Sequence, residues 1–328
     1  MRLLARLAAF RRRRRIVRCL RSPARALVLR YHSVAPAAEA AGYLDPGLSI
    51  PPERFAEHVR LLAERFEVIG LDELLNRAST APRGRPAVVV TFDDGYRDNH
   101  DHALPILKAA GLSATFYVTT GPLAHRRGLW ISEVWRCVPR LPEGRLELPG
   151  IPPLRVPAAG ARRGVRRRLT RELSALGAAD RERALAVLAE AAGLARGEGL
   201  GTSFMTPEQV LALRDAGMTV GAHTRSHPHL DRLPADRLEE EVAGSRADLE
   251  AVLDEPVVHF AYPNPGGGGR NAGRARRAVA SAGFRTAVTS RCFPIRPGQD
   301  PLLLPRAGVY AGPSERGLFA VLARCGRG

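Results

Sequence analysis

Short apolar runs alternate with segments of helical periodicity along most of the chain. The predicted strands are residues 26–31, 66–69, 88–92, 114–119, 218–222, 259–262, 286–289 and 302–309. The predicted helices are residues 52–64, 71–77, 102–110, 206–217, 233–253 and 275–283. Because strands and helices alternate in this way, the pattern predicts βα units, and therefore a parallel sheet in an α/β fold.

The alternation stops between residues 125 and 203. Pro- and Gly-rich pieces at residues 139–157 come first, and a basic stretch with leucines along one helical face follows at residues 166–196. We predict that residues 125–203 are a helical, basic insertion. The framework resumes at residues 206–209, where Thr206 and Gln209 predict a capping box. A chain of 328 residues is long enough for one barrel with an insertion or for two smaller domains.

Two acidic residues, Asp93 and Asp94, follow the predicted strand 88–92 and precede Gly95. Asp before Gly is common turn chemistry, so the doublet alone is weak evidence for a functional site. However, active sites of α/β folds collect at the carboxyl ends of the strands, which is where both carboxylates are predicted to lie.

Two histidines, His223 and His227, follow the predicted strand 218–222. Pairs with this spacing also occur on helix surfaces, but Pro228 disfavours a regular helix through His227. One carboxylate and two imidazoles make a divalent-metal site with positions left open for water, and they suit Zn²⁺, Co²⁺, Ni²⁺ or Fe²⁺. The remaining carboxylate would then act as a base, which predicts metal-assisted hydrolysis.

The chain is strongly basic, with a formal net charge of +17. Residues 1–30 carry +11 and residues 125–200 carry +7, so the part that holds the carboxylate and histidine motifs is close to neutral. Lys108 is the only lysine among the 50 basic residues, a usage that a coding bias toward arginine explains. We therefore expect no specific nucleic-acid partner.

Residues 1–25 form an Arg-rich leader that includes five arginines at positions 11–15. Its apolar stretch precedes these charges, whereas a secretory signal has its charges first, so we predict a cytoplasmic protein. The leader also predicts peripheral contact with an anionic membrane. The four cysteines are widely spaced and predict free thiols rather than a metal site.

Three motifs together resemble the polysaccharide deacetylase family, whose members share the NodB homology domain and are similar to carbohydrate esterase family 4. The motifs are Thr91-Phe-Asp-Asp-Gly95, His223-Thr-Arg-Ser-His227-Pro228 and Phe260-Ala-Tyr-Pro263. The resemblance implies a deformed (β/α)7 barrel over residues 26–312, interrupted by residues 125–203 and followed by a tail at residues 313–328. It also implies hydrolysis of the N-acetyl groups of amino sugars, a reaction at a linear amide C–N bond.

The resemblance implies a role for each residue of these motifs. Asp94, His223 and His227 match the metal ligands of the family, and zinc is the metal that the family implies. Asp93 matches the general base. The backbone N–H of Tyr262 matches the donor that stabilises the oxyanion.

The third motif lies beside the substrate in the family, which implies contacts from Tyr262, Pro263 and Asn264. Asn264 stands where an aromatic residue is more usual, a change that alters the contacts with the sugar. We also predict that Arg306, at a strand end, contacts the substrate or orients Asp93, with an exposed arginine at the barrel rim as the alternative.

The chain departs from the family pattern where a proton is needed for the leaving amine. Many members supply it from a C-terminal Leu-x-x-His motif, but no histidine follows His259 in this chain. Tyr31-His32 resembles a branch of the family that carries a histidine after its first strand. We therefore predict that His32 is the general acid, with a capping or core-packed histidine as the alternative.

Three functions are compatible with the sequence. The first is metal-dependent removal of N-acetyl groups from a polysaccharide or a lipid-linked glycan. The others are a catalytically inactive carbohydrate-binding protein on the same barrel and a deacylase of a non-sugar amide. The complete set of carboxylates and histidines favours an enzyme, because a binding module needs neither an open metal site nor a base. Trp130 and Trp135 predict core packing, with stacking on a sugar ring as the alternative. The oligomeric state is not predicted.

Overall fold

The computed structural model describes residues 26–77, 85–125, 127–263, 272–292, 295, 298–311 and 318. The predicted leader at residues 1–25 lies outside these ranges, as do Asn264 and all but Leu318 of the predicted tail at residues 313–328. None of the helices within these ranges is both long and apolar enough to cross a membrane.

A curled parallel sheet forms the framework of the described chain. Its strands are β1 (Leu27–Tyr31), β2 (Glu67–Val68), β3 (Ala87–Phe92), β4 (Thr115–Val118), β7 (Thr219–Ala222), β8 (His259–Ala261), β9 (Thr286–Val288) and β10 (Ala307–Gly308), while β5 (Gly144–Leu148) and β6 (Ile151–Val156) form a separate hairpin. The order across the sheet is β10-β1-β3-β4-β7-β8-β9, and β2 pairs with β3. A parallel bridge between Val288 and Leu304 joins β9 to the segment that leads into β10, so the two ends of the order meet. The fold is a deformed (β/α)7 barrel, as predicted.

Helices follow most strands, and most of them pack against the outside of the sheet. They are α1 (Ala37–Ala40), α2 (Pro52–Arg65), α3 (Leu71–Arg77), α4 (Leu104–Ala109), α5 (Gly121–His125), α6 (Trp130–Cys137), α7 (Arg163–Ala175), α8 (Ala178–Ala191), α9 (Pro207–Asp215), α10 (Ala235–Leu253) and α11 (Ala272–Ser281). The capping box at the start of α9 is confirmed, because Thr206 Oγ1 accepts the N–H of Gln209 at 3.3 Å and Gln209 Oε1 accepts the N–H of Thr206 at 3.0 Å.

Period-two alternation along the inner strands decides which side chains reach the mouth of the barrel. The odd-numbered residues of β1 pack in the core beneath the helices, whereas Val28 packs inside the barrel. Arg30 and His32 follow on the Val28 side, so they belong to the inner face. On β3 the same alternation places Thr91 and Asp93 on the inner face. Polar side chains therefore gather at the carboxyl ends of neighbouring strands.

Residues 127–203 have a hydrophobic cluster of their own, built from α6, α7, α8 and the β5-β6 hairpin. This unit contacts the barrel at Trp130, whose Nε1 donates to the carbonyl of His227 at 3.2 Å. The hairpin is absent from the sequence prediction, because Pro152 and Pro153 in β6 are typical of a loop. Both prolines are exposed, and an outward-facing position on a two-stranded ribbon needs no N–H from proline.

Two predicted elements differ from the structure. The basic stretch at residues 166–196 is two helices, α7 and α8. The predicted strand 302–309 is mostly irregular, with a 3₁₀ turn at Pro301–Leu303 and only two residues in β10. Asp300 explains the turn, because its Oδ1 accepts the N–H of Leu302 at 2.9 Å and thereby caps it.

Candidate active site

A sharp backbone turn separates the two carboxylates at the end of β3. Asp94 has φ 76° and Gly95 has φ 81°, so both lie in the left-handed region. A Cβ atom on Gly95 would come within 3.0 Å of Val118 Cγ1. Both this contact and the left-handed backbone therefore favour glycine at this position. Because the chain reverses at Asp94, its side chain diverges from that of Asp93, and the two carboxylates have different neighbours.

The two histidines are held by a strained loop after β7. Thr224 and His227 have φ 67° and 55°, and Thr224 Oγ1 accepts the N–H of His227 at 3.0 Å. Glu241 on α10 accepts the N–H groups of the two residues before His227 at 2.9 and 2.8 Å. This buried carboxylate therefore fixes the backbone between the imidazoles.

Asp94, His223 and His227 meet in a buried cluster whose potential ligand atoms all lie within 4.8 Å of one another. Nε2 of each histidine is 3.4 Å from Asp94 Oδ1, and that oxygen accepts no hydrogen bond from the described residues. His223 Nδ1 lies 2.7 Å from the carbonyl oxygen of Ala261, so it donates there and Nε2 presents a lone pair to Asp94. The lone pairs of His223 Nε2 and Asp94 Oδ1 face each other without a hydrogen between them, and with His227 Nε2 at the same distance this geometry fits a divalent cation.

The charge states of these residues also suit a cation. Burial by itself raises the pKa of Asp94, but the neighbouring histidines outweigh this effect and hold it well below its usual value. Burial lowers the pKa of His227 to about 4, against an opposing effect of Asp94. At neutral pH the carboxylate is therefore ionised and the His227 imidazole is neutral, which are the states in which these side chains bind metal.

Arg306 holds the second carboxylate in a bidentate ion pair. Its Nη1 and Nη2 donate to Asp93 Oδ1 and Oδ2 at 2.6 and 2.8 Å, and its Nε donates to the carbonyl of Thr289 at 3.1 Å. The side chain is 1% exposed, and its guanidinium lies over the ring of Tyr117. An exposed arginine at the barrel rim is therefore excluded by this burial. Arg306 does not line the pocket, and its donors are directed at Asp93, Thr289 and Thr91, so a contact with the substrate stays a prediction. Its alternative role, orienting Asp93, agrees with this geometry.

The ion pair keeps Asp93 ionised inside the protein. Burial raises the pKa of Asp93, but Arg306 and then His223 outweigh burial and hold the pKa below its usual value. A carboxylate has about four lone-pair sites, and Arg306 uses two of them. Asp93 therefore keeps acceptor capacity toward the pocket.

His32 lies on the wall of the same pocket as both aspartates. Its Nδ1 is buried and has no hydrogen-bond partner among the described residues. Burial, followed by the charge of Arg30, lowers the pKa of His32 to about 4, while Asp94 and Asp93 act in the opposite direction. The ring is therefore neutral at neutral pH before any substrate enters.

A buried carboxylate that the sequence analysis missed, Asp98, fixes the backbone around His32. It accepts hydrogen bonds from Ser33 Oγ at 2.8 Å, the N–H of Val34 at 2.8 Å and Tyr43 Oη at 2.6 Å. Asn99 Nδ2 donates to the carbonyl of His32 at 2.9 Å. The available signal was the position of Asp98 only four residues beyond Asp94, on the turn that follows β3.

The pocket at the mouth of the barrel has a volume of about 250 Å³. Its walls come from the barrel strands, from the loop that carries Leu44 and Leu48, and from Ile131 and Trp135 on α6. Trp135 is half-buried, and the guanidinium of Arg166 lies 4.3 Å from its ring centroid. One ring face of Trp135 is thus already covered. The segment 127–203 therefore supplies part of the wall.

The predicted oxyanion donor needs correction. The N–H of Tyr262 donates to the carbonyl of Val288 at 3.1 Å in the pairing of β8 with β9, so it is not available to a substrate. The side chains of Tyr262 and Pro263 are buried and do not line the pocket. Proline has no N–H, so the next donor along the chain is the N–H of Asn264, which lies outside the described residues.

Fold and site together define an α/β barrel protein with a candidate metal centre at the carboxyl ends of its strands. The sequence model of one family, described as polysaccharide deacetylase, matches residues 80–287. The chain belongs to the polysaccharide deacetylase family of amide hydrolases.

Individual relatives are more distant. The protein YxkH of Bacillus subtilis (strain 168), provisionally named a polysaccharide deacetylase, is 28% identical over 109 residues, which are 33% of this chain and 36% of that protein. This chain thus matches only about a third of its curated relative. The Streptococcus pyogenes deacetylase PplD has a TM-score of 0.60 at 18% identity, covering 92% of this chain and 99% of that one. IcaB from Ammonifex degensii has a TM-score of 0.58 at 20% identity, covering 93% and 97%. At these identities the two structures support the fold.

Proposed function

We propose that this protein is a metal-dependent hydrolase that removes N-acetyl groups from the amino sugars of a polysaccharide or a lipid-linked glycan. The observation that carries the proposal is that the two carboxylates at the end of β3 have different partners. Asp94 faces two histidines in a cluster fit for a cation, while Asp93 faces the same pocket from an ion pair with Arg306. Family membership supplies the substrate class, N-acetylated glycans.

Asp94, His223 and His227 would hold the metal. When bound, a divalent cation supplies Lewis acidity, which polarises an amide carbonyl and lowers the pKa of water. Two imidazoles and a carboxylate suit Zn²⁺, Co²⁺, Ni²⁺ and Fe²⁺, and we propose Zn²⁺ from the family. His223 is oriented for this role by its Nδ1 contact with the carbonyl of Ala261.

Asp93 acts as the general base. It is ionised at neutral pH, and it removes the proton from the water molecule that attacks the amide carbonyl. Arg306 fixes both of its oxygens, so the base has one orientation when the substrate binds. The attack forms a C–O bond, and collapse of the tetrahedral intermediate breaks the C–N bond to give acetate and a free amine.

His32 donates a proton to the leaving nitrogen. Since the ring is neutral beforehand, it must first take up a proton inside the pocket, and the proton removed by Asp93 is the available source. No hydrogen bond from the described residues occupies His32 Nδ1. The N–H of Tyr262 does not take part, because it donates to the carbonyl of Val288.

Acetate release tests this function. The purified protein is incubated with N-acetylated oligosaccharides of chitin type, of exopolysaccharide type and with lipid-linked N-acetyl sugars, with and without a chelator. We expect acetate from at least one substrate, loss of release with the chelator, and recovery on addition of Zn²⁺. Binding of a glycan without acetate release after metal is restored would instead support the inactive carbohydrate-binding protein. Release only from non-sugar N-acetyl amides would support the deacylase.

The Arg-rich residues 1–25 are proposed to bring a cytoplasmic enzyme to an anionic membrane surface. A variant lacking these residues is compared with the whole chain for sedimentation with phosphatidylglycerol vesicles and for acetate release. We expect the shortened protein to lose vesicle binding and to keep its activity. Equal sedimentation of both proteins would contradict the membrane role.

A further inference from the structure

One cation at the pocket wall, Arg30, has no role in the proposed reaction. It precedes His32 by two residues on β1, so the two side chains leave the same face of the strand about 7 Å apart. Both residues line the pocket. Arg30 Nη1 donates to Ser290 Oγ, and Nη2 donates to Tyr310 Oη at 2.9 Å.

The charge of Arg30 is not neutralised by the described residues. No carboxylate among them lies within 4.0 Å of the guanidinium, and its buried Nε has no hydrogen-bond partner. The other arginines near the site differ in this respect, because Arg306 is paired with Asp93 and Arg225 with Asp248. A half-buried guanidinium whose partners among the described residues are hydroxyl groups is costly unless a ligand supplies the opposite charge.

The remaining carboxylates of the pocket do not balance Arg30. Asp93 is neutralised by Arg306, and Asp94 faces the two histidines. Asp45 Oδ1 accepts the N–H of Gly47 at 2.9 Å. If a divalent cation occupied the histidine cluster, that cation together with Arg30 and Arg306 would exceed the three carboxylates by one positive charge. Such a pocket attracts an anionic substrate.

We infer that Arg30 and the hydroxyl group of Tyr310 form a subsite for an anionic substituent, either phosphoryl or carboxylate, on the N-acetylated sugar. This inference rests on the proposed deacetylase function. Arginine binds both oxyanions in a bidentate manner, and Tyr310, which is 44% exposed and accepts from Arg30, has a hydroxyl hydrogen that adds a second donor. The spacing from His32 puts the anion on the same sugar as the reacting acetamide or on its immediate neighbour.

The competing explanation is that Arg30 only ties strands together. Ser290 follows β9 and Tyr310 follows β10, so the contacts of Arg30 join β1 to both strands. A purely structural arginine would affect folding and all substrates equally. An anion subsite would affect charged substrates selectively, which gives the two explanations different consequences.

The test measures kcat/KM for acetate release from three substrates by the metal-loaded whole chain. They are the methyl glycoside of N-acetylglucosamine, N-acetylglucosamine 1-phosphate and the methyl glycoside of N-acetylmuramic acid, which are neutral, phosphorylated and carboxylated respectively. We expect the wild type to prefer at least one anionic substrate over the neutral one. Arg30→Gln should lower kcat/KM for that substrate by roughly tenfold to a hundredfold, the range for a charged hydrogen bond, mainly through KM. The anionic substrate that the wild type prefers shows whether the substituent is a phosphoryl or a carboxylate group.

Three further variants complete the comparison. Arg30→Lys keeps the charge and should retain part of the preference, and Tyr310→Phe should weaken it without affecting the neutral substrate. Arg237→Gln, on the exposed surface of α10, is the matched control and should change nothing. An equal loss on neutral and anionic substrates in Arg30→Gln, or a wild-type preference for the neutral sugar, would overturn the inference.

A binding measurement separates this inference from the proposed function. If the wild type releases no acetate from any substrate, the proposed function fails, and calorimetric titration of the metal-loaded protein with N-acetylglucosamine 1-phosphate still tests the subsite. We then expect binding to the wild type to be roughly tenfold or more tighter than binding to Arg30→Gln. Equal affinities would exclude an anion subsite at Arg30.

Discussion

Arg306 and Asp93 meet through two separate hydrogen bonds, of 2.6 and 2.8 Å, in a place where neither side chain reaches solvent. Arg306 comes from the segment before β10, and Asp93 directly follows β3, so the pair joins strands that lie on either side of β1. The ion pair is therefore both part of the proposed catalytic machinery and a connection inside the barrel.

Removing one member of this pair should be worse than removing both. Arg306→Met leaves the Asp93 charge buried without a partner, and we expect it to lower the free energy of unfolding by about 3–5 kcal/mol. The double variant Arg306→Met with Asp93→Asn should be more stable than Arg306→Met alone, because the buried charge is gone. Urea unfolding of the single and double variants measures the coupling. Additive effects would show that the two charges do not depend on each other.

Asp93→Asn should separate catalysis from metal binding. We expect acetate release to fall by roughly 10² to 10⁴-fold, the usual contribution of a general base, while the protein retains its metal. Asp94→Asn is the matched control, since the same change one residue later should lose the metal itself. Metal content by atomic absorption and acetate release are measured on both. Loss of metal from Asp93→Asn as well would contradict the division of roles.

His58 on α2 should make the fold sensitive to acid. Burial, assisted by Arg54, lowers its pKa from 6.5 to about 4, so the folded protein holds it neutral. The unfolded chain therefore binds more protons below pH 6.5, and stability is lost as the pH falls from 6.5 toward 4. We expect His58 to account for about 2 kcal/mol of destabilisation between pH 8 and pH 5.

The measurement is urea unfolding of the wild type and His58→Gln at both pH values. The variant loses the contact between His58 Nδ1 and Tyr31 Oη, so it should be less stable at pH 8. Its loss of stability between pH 8 and pH 5 should nevertheless be smaller than that of the wild type. Parallel pH dependences would show that other groups cause the acid sensitivity.

Gly221 should tolerate no side chain. A Cβ atom there would lie 2.6 Å from Tyr117 Cδ1 and 2.9 Å from the carbonyl oxygen of His259, so a buried ring and a strand would have to move. We expect Gly221→Ala to destabilise the protein by about 1–3 kcal/mol. Gly164→Ala on α7 meets nothing within 4 Å and should be neutral or stabilising by up to about 1 kcal/mol. Thermal unfolding of both variants provides the comparison, and equal melting temperatures would contradict this explanation.

The framework of the barrel could be predicted from the sequence because its signals are local. Apolar strands such as Ala87–Phe92 and the capping box at Thr206 determine their own structure with little help from the rest of the chain. The β5-β6 hairpin could not be predicted, because exposed prolines make β6 resemble a loop. The 3₁₀ turn inside the predicted strand 302–309 could not be predicted either, because the apolar run Leu302–Leu304 is typical of a strand.

The cluster of Asp94, His223 and His227 was accessible from motifs, since both follow apolar strands. The partner of the neighbouring Asp93 could not be predicted from these motifs. Arg306 lies 213 residues from Asp93 in the sequence, and only the sheet order shows that they meet. The N–H of Tyr262 is likewise used in the pairing of β8 with β9, which a single sequence does not show.

Asp94, Thr224 and His227 are three of the four non-glycine residues in the described chain whose backbone is left-handed. Each such conformation costs on the order of 1–3 kcal/mol. Thr224 is β-branched, so its left-handed conformation is the most costly of the three. These conformations thus lower the stability of the barrel, and they set the positions of the candidate metal ligands Asp94 and His227. Consequently a descendant that no longer needed the reaction would gain stability by replacing these residues with glycine or asparagine, so selection for stability and selection for activity act in opposite directions on these three positions.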